Sequence, residues 1–487
     1  MSRFNPSEWA VTHRTLVLFL IIATLVVGAF SFSRLGRLED PEFGSPAMTI
    51  VTQWPGATAQ DVQDQVLNRI ERELREIDHY DYVRSFARQG FGAVTLYMKG
   101  GTSEAELQEA WYQARKKVGD VRQELPEGVR GPFFNDEYSD VYSMLYAVSA
   151  PDLSMPELLE VAEGIKRQLQ RVDGVKKVDV LGKQAERVYV ELSLQRLAAL
   201  GLSPASVLEA LSRQNNVAPA GFVEGAEDRV QVRVSGDLTS VRDVEEISLA
   251  VSGRLMRLAD IATVRAGIED PASFTIRHNG VPVLTLAVTM NKGGDILALG
   301  KALDERMTQV RAGLPVGVDV DLYADQPTVV ADSVWEFERS FLEALAIVLA
   351  VSFLALGMRT GIVVAASIPL VLGLVAAVMY GFGWTLDRIS LGALIIALGL
   401  LVDDAIIAVE MMVVKLEEGW DRVRAATFAY TSTALPMLTG TLVTIAGFMP
   451  VGFAKSISGE YAGGIFWVVG LALILSWIVA VVFTPYL

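Results

Sequence analysis

Apolar and polar positions divide the chain into zones with different periods. Runs apolar enough to cross a bilayer, which takes about 20 residues each, fall at residues 15–33, 340–357, 361–383, 389–414, 434–454 and 462–484. They predict six membrane helices, one at the start and five grouped at the end. Residues 34–334 between them are polar, and their apolar positions alternate between a period of two and a period near 3.6. "AMTIVTQW" reads as a strand, and a turn and helix follow, with Thr58 and Asp61 at capping spacing. "YDYVRSFAR" and "GAVTLYMKGG" read as strands, and a helix opened by Ser103 and Glu106 closes near Leu125 and Pro126. This order is a split β-α-β unit of ferredoxin-like type.

The unit recurs. Lys99–Gly101 ("KGG") precedes a helix and "LPEGV" at 125–129, and Lys292–Gly294 ("KGG") precedes a helix and "LPVGV" at 314–318. The second unit is interrupted by residues 182–272, which carry strands of their own such as "ERVYVEL" and "RVQVRVSG". An insertion of this size predicts a docking subdomain. The fold class expected is a bundle of six transmembrane helices with a large α+β domain of ferredoxin-like βαβ repeats. Its parts are residues 1–33, 34–134, 135–181 with 273–334, 182–272, and 335–487.

Composition agrees with a membrane protein: 51% of the 487 residues are hydrophobic. Of the net charge of −15, most lies in the polar block, which holds all but 9 of the basic and all but 12 of the acidic residues. An acidic domain excludes nucleic acid as a natural partner. Arg3, Arg14, Arg359, Lys415, Arg422 and Arg424 fall on one side of the six predicted spans, against Arg388 and Lys455 on the other. Positive charge marks the cytoplasmic side, so the large domain is expected outside, with the first span an uncleaved signal anchor and Trp9 at the interface.

Enzyme chemistry finds no footing. Cysteine is absent, and His13, His79 and His278 are too scattered for a zinc site, so no metal or cofactor is expected. "GGDILALGKA" imitates a phosphate loop, but Asp295 stands where the first glycine is needed and Ala302 where the hydroxyl is needed.

Candidate chemistry lies instead in "GLLVDDAIIAVE", residues 399–410, within the fourth apolar run. Asp403 and Asp404 fall near the bilayer midplane, where an aspartate costs roughly 2.5–3.5 kcal/mol on insertion scales. Adjacent carboxylates cannot both ionise cheaply there, and they titrate as a coupled pair. Neighbours on a helix differ by about 100°, so the two face different partners. Glu410 returns to the face of Asp403 about 10 Å along the axis. Gly392 and Gly399 have a spacing that lets another helix approach closely. Two readings compete: a proton-carrying pair, or polar glue between helices. No predicted span carries Lys or Arg in its interior, so a counter-charge must come from another polypeptide or a missing second half.

"GLLVDDAIIAVE", with "WPGATAQDV" at 54–62, "RLADIATV" at 257–264 and "TPYL" after the sixth span, resembles the resistance-nodulation-division exporters, and among them the hydrophobe/amphiphile multidrug branch. The resemblance implies a proton antiporter of the Gram-negative inner membrane that works as a homotrimer with a periplasmic adaptor (membrane fusion) protein and an outer-membrane channel. It makes Asp403 and Asp404 the proton relay, with Glu410 accessory, and it makes residues 34–134, and 135–181 with 273–334, two porter subdomains. Small amphiphilic substrates are expected in the outer domain, where Tyr142 and Leu181 match pocket positions. Members run to about twice this length, so the chain corresponds to an N-terminal half, and the relay cations belong to the missing C-terminal half. The segment after "NNVAPAGF" is short for the family's arm into the neighbouring subunit. A non-transporting assembly module and a related lipid or protein translocator are the alternatives.

Overall fold

A computed structural model describes residues 5–41, 46–138, 140–214, 222–224, 229–231, 240–251 and 254–487. In the first polar unit, strands Ala47–Gln53, Tyr80–Arg88, Phe91–Met98 and Arg130–Asn135 form one antiparallel sheet. The third strand lies between the second and the first, and the fourth pairs with the first. The helical segments Ala59–Val62, Gln63–Leu67 and Asn68–Leu74, and the helix Glu104–Val121, cover one face. Both expected capping boxes form, Thr58 with Asp61 and Ser103 with Glu106. Alternation supplies the core: Met48, Ile50, Val94 and Leu96 from the sheet meet Ile70, Leu74, Trp111 and Val118 from the helices.

The second unit repeats this connectivity. Strands Tyr142–Ser149, Val175–Leu181, Val281–Met290 and Asp319–Asp325 take the same spatial order, with Ile276–His278 added as a short hairpin partner at one edge. Helices Met155–Leu169 and Ile296–Ala312 cover it. Between its second and third strands the chain leaves to form the pair Glu186–Leu192 and Ala262–Ile268, whose cluster includes Leu197, Val207, Leu249 and Leu258. Of "RVQVRVSG" the described part, Arg229–Gln231, is a strand. The rest of that run, and residues 215–221 within "NNVAPAGF", lie outside the described residues.

Among the described residues, five helices are long and apolar enough to cross a membrane: Arg14–Arg34, Thr360–Gly381, Arg388–Glu417, Arg422–Gly452 and Ile457–Val482. The run expected at 340–357 forms the second half of the helix Gln326–Leu356, whose polar first half continues directly from the last strand of the second unit. No loop separates the strand from the helix there. The helix Arg422–Gly452 starts well before the apolar run at 434, because Thr427, Thr431 and Thr433 return their hydroxyls to carbonyls four residues back and so hide their polarity.

The helix Arg388–Glu417 is central, touching the helices at 326–356, 358–381, 422–452 and 464–482. The helix Arg14–Arg34 packs on Met358–Gly381, where a Cβ on Gly28 would collide with the Gly373 main chain. The short helix Pro6–Thr12 lies at one end of the bundle, with Ser7 Oγ donating to the Val481 carbonyl at 2.7 Å and Asn5 Nδ2 to the Thr427 carbonyl at 3.3 Å. The polar units join the other end, where the Leu38 amide donates to the Leu386 carbonyl at 2.9 Å.

Candidate functional site

Asp387 starts the central helix with a capping box: the Ser390 amide donates to Asp387 Oδ1 at 2.7 Å, and Ser390 Oγ accepts from the Asp387 amide at 2.8 Å. From there Ala397, Leu398, Leu401, Val402, Ala405 and Val409 are buried against neighbouring helices. Ile396, Gly399, Asp403, Ile407, Glu410 and Val414 are exposed at steps of three and four, which is one stripe of an α-helix.

The adjacent aspartates therefore part company. Asp404 is only 7% exposed, and on the helix Arg422–Gly452 the Thr441 hydroxyl donates to the Met437 carbonyl of its own helix at 2.9 Å. Asp403 lies on the exposed stripe with Glu410, as the seven-residue spacing requires. Two further bonds tie the surrounding helices: Ser476 Oγ donates to the Leu401 carbonyl at 2.8 Å, and Trp477 Nε1 to the Ala434 carbonyl at 2.9 Å. Thr441 and Ser476 escaped sequence reasoning, although a lone hydroxyl inside an apolar run was a usable signal.

Cations on the same helix are committed elsewhere. Arg388 pairs with Glu39 at 3.0 Å and Lys415 with Glu418 at 2.8 Å. Among the described residues no Lys, Arg or His forms an ion pair with Asp403, Asp404 or Glu410. Among the described residues the close approach expected at Gly392 and Gly399 is not made either: a Cβ on either glycine would meet nothing within 4 Å. The glycine-mediated crossing occurs at Gly28 and Gly373 instead.

In the outer domain, Tyr142 and Leu181 share a sheet but not a contact. Tyr142 pairs with Thr289 and Leu181 with Thr285 on opposite sides of the same central strand, an offset of about 13 Å along it at 3.3 Å per residue. The Tyr142 hydroxyl donates to Asp179 Oδ2 at 3.2 Å, and burial together with the Asp179 charge raises its pKa. Lys177 lies 3.8 Å from Asp179 and 3.2 Å from Asp140, and Lys176 bonds Asp140 at 2.6 Å. Beside Leu181, Thr285 Oγ1 meets the Tyr323 hydroxyl at 3.1 Å. Asp179 and Tyr323 are residues the sequence reading missed. Alternation in "VKKVDVL" puts Lys177, Asp179 and Leu181 on one face and was the available signal. Asp295 does the opposite of phosphate binding, since its carboxylate caps the next helix by accepting from the Leu297 and Ala298 amides at 2.8 and 3.0 Å.

A family model described as the AcrB/AcrD/AcrF family matches residues 6–487. Among similar proteins, the "Multidrug export protein AcrF" of Escherichia coli (strain K12) is 28% identical over 96% of this chain and 46% of its own length. The "Cobalt-zinc-cadmium resistance protein CzcA" of Cupriavidus metallidurans is 26% identical over 98% of this chain and 46% of its own. An "Uncharacterized transporter" of Haemophilus influenzae is 26% identical over 99% of this chain and 47% of its own. The chain thus spans about half the length of the curated relatives it matches. With the match running over the two polar units and the carboxylate-bearing helix alike, the chain belongs to the AcrB/AcrD/AcrF family of resistance-nodulation-division permeases.

Proposed function

We propose that this chain is the N-terminal half of a proton-driven inner-membrane exporter of drugs or amphiphiles, with Asp403 and Asp404 as its proton relay. The observation that carries the reading is the central helix itself: one aspartate buried in the bundle, its neighbour on a stripe left exposed by the described residues. Such placement is costly and marks intramembrane carboxylates as functional by default. A second half laid on the stripe would supply the missing cation to Asp403 and fill the space beside Gly392 and Gly399.

Six spans follow if the helix Gln326–Leu356 crosses the membrane, which puts both ends of the chain inside and the polar units in the periplasm. The two units are then ferredoxin-like porter subdomains, and residues 182–272 a docking subdomain for an adaptor protein and an outer-membrane channel in a trimeric assembly. Substrate is handled in the outer domain on the sheet face of Tyr142, Asp179 and Tyr323, and protons in the membrane, so coupling between them is conformational. The adjacent pair of aspartates favours drugs or amphiphiles over metal cations as cargo. Proton uptake discharges the relay, and the central helix repacks against the fifth and sixth helices. The test is substrate-dependent proton flux in liposomes containing the complete transporter. Asp403→Asn and Asp404→Asn should each abolish flux and export with insertion intact, because Asn keeps shape but carries no proton. Near-normal export by both variants at matched protein levels would sink the assignment.

A further inference from the structure

The repeated Lys-Gly-Gly turns have no role in the function above, yet both sit where polar unit meets membrane helix. In each unit the turn joins the third strand to the second helix. The first turn rests on the loop between the fifth and sixth spans: a Cβ on Gly100 would stand 2.8 Å from Ser456 Cα and 3.0 Å from the Lys455 carbonyl oxygen. Beside it Gly101, at φ +80°, donates its amide to Glu460 Oε1 at 3.1 Å. The second turn rests on the segment that leaves the first span. A Cβ on Gly36 would stand 3.2 Å from the Gly294 oxygen and 3.3 Å from that of Gly293, and the Ile296 amide donates to the Arg37 carbonyl at 3.0 Å.

That second seat is bound to the start of the carboxylate-bearing helix. Arg37 bridges to Leu386, the Leu386 amide donates to the Gly36 carbonyl at 2.8 Å, and Glu39 pairs with Arg388 at 3.0 Å. The two seats are also joined to each other. Tyr461, next to Glu460, donates to Asp40 at 2.8 Å, and Lys292 of the second turn pairs with Glu104 at the head of the first unit's helix.

We infer that the two turns are positioning contacts which, beside the continuous helix Gln326–Leu356, carry displacement of the central helix to the two polar units, a reading that rests on the proposed proton-driven cycle. Gly100 and Gly36 bring main chain against main chain, and no side chain in between can change rotamer to absorb a shift. Packed contacts of this kind move as units and do not deform continuously. The repeat then has a reason: each unit needs its own seat at the equivalent corner, and a Cβ at Gly100 would force the first turn off its loop while one at Gly36 would press the second turn by a few tenths of an ångström.

The test uses the complete transporter in liposomes, with proton uptake and substrate export read separately. Glu460→Ala, which removes the acceptor for the Gly101 amide, and Tyr461→Phe leave the backbone undisturbed, whereas Gly100→Ala and Gly36→Ala press directly on the seats. Substrate exported per proton taken up should fall at least about fivefold, the lower end of a coupling free energy, while the pH profile of proton uptake stays that of the wild type. A wild-type ratio in all four variants overturns the inference. So does an equal fall of both fluxes in Glu460→Ala and Tyr461→Phe, which marks a merely structural contact. Absence of proton uptake in the wild type defeats the relay reading and this inference with it, an outcome separate from normal wild-type coupling with unaltered variants.

Discussion

Adding one methyl group at Gly28 and one at Gly399 should give opposite results. At Gly28 the new Cβ would lie 2.3 Å from Gly373 Cα and 2.9 Å from its carbonyl carbon and oxygen, all of them main-chain atoms. Carbon atoms settle at about 3.5–4.0 Å, so the helices Arg14–Arg34 and Met358–Gly381 must part by roughly 1.2–1.7 Å. Overpacking of this kind costs about 1–3 kcal/mol, offset by about 0.5–1 kcal/mol from replacing a helical glycine with alanine. The net loss is about 1 kcal/mol, within a span of about 0–2.5 kcal/mol. At Gly399 nothing lies within 4 Å, so only the propensity gain remains, and Gly399→Ala should leave the 487-residue chain slightly more stable. In the complete transporter the sign should reverse if a second half packs on the stripe. Equilibrium unfolding in mixed micelles, run on both variants in both lengths of protein, measures this. A Gly28→Ala protein as stable as the wild type would refute the crossing. Gly399→Ala stabilising both lengths equally would refute the packing of a partner on the stripe.

Other outcomes follow from the same geometry. Asp404→Asn should collapse the substrate gradient that the complete transporter sustains: one charge crossing 100 mV supplies about 2.3 kcal/mol, against about 1.4 kcal/mol per tenfold gradient. A steady-state accumulation assay in energised liposomes reads this directly. Tyr142→Ala should weaken substrate binding in the detergent-solubilised complete transporter while Asp404→Asn leaves it unchanged, and the reverse pattern, by equilibrium binding, would move the substrate into the membrane. In the polar domain, burial pushes the Asp140 carboxyl upward, and the hydrogen bond from Lys176 with the ion pair to Lys177 outweighs it and holds it below the usual carboxylate range. A depressed folded pKa means stability that is present above the unfolded value near 3.9 and lost as pH falls through the folded value. Lys176→Met with Lys177→Met should flatten that acid-side loss, as followed by domain unfolding against pH.

Local chemistry was enough for much of this molecule. Hydropathy marked the membrane runs, two capping boxes fell where Thr58 and Ser103 announced them, and the paired Lys-Gly-Gly turns exposed the duplicated unit, because each of these depends on residues close together in the chain. Helical spacing also required that Asp403 and Asp404 point apart. Only packing decided which of them is buried, since the answer depends on helices tens of residues away, among them the one whose Ser476 hydroxyl bonds the Leu401 carbonyl. The same holds for the glycines: Gly28 and Gly373 meet, whereas Gly392 and Gly399 face open space, and no spacing rule distinguishes a small residue with a partner from one without. Tyr142 and Leu181 looked equivalent in sequence, but strand register set them four residues apart and gave Tyr142 to Asp179. Periodicity says which face a residue occupies; what stands opposite that face is a long-range contact, set by how distant elements are brought together, and only the tertiary structure contains it.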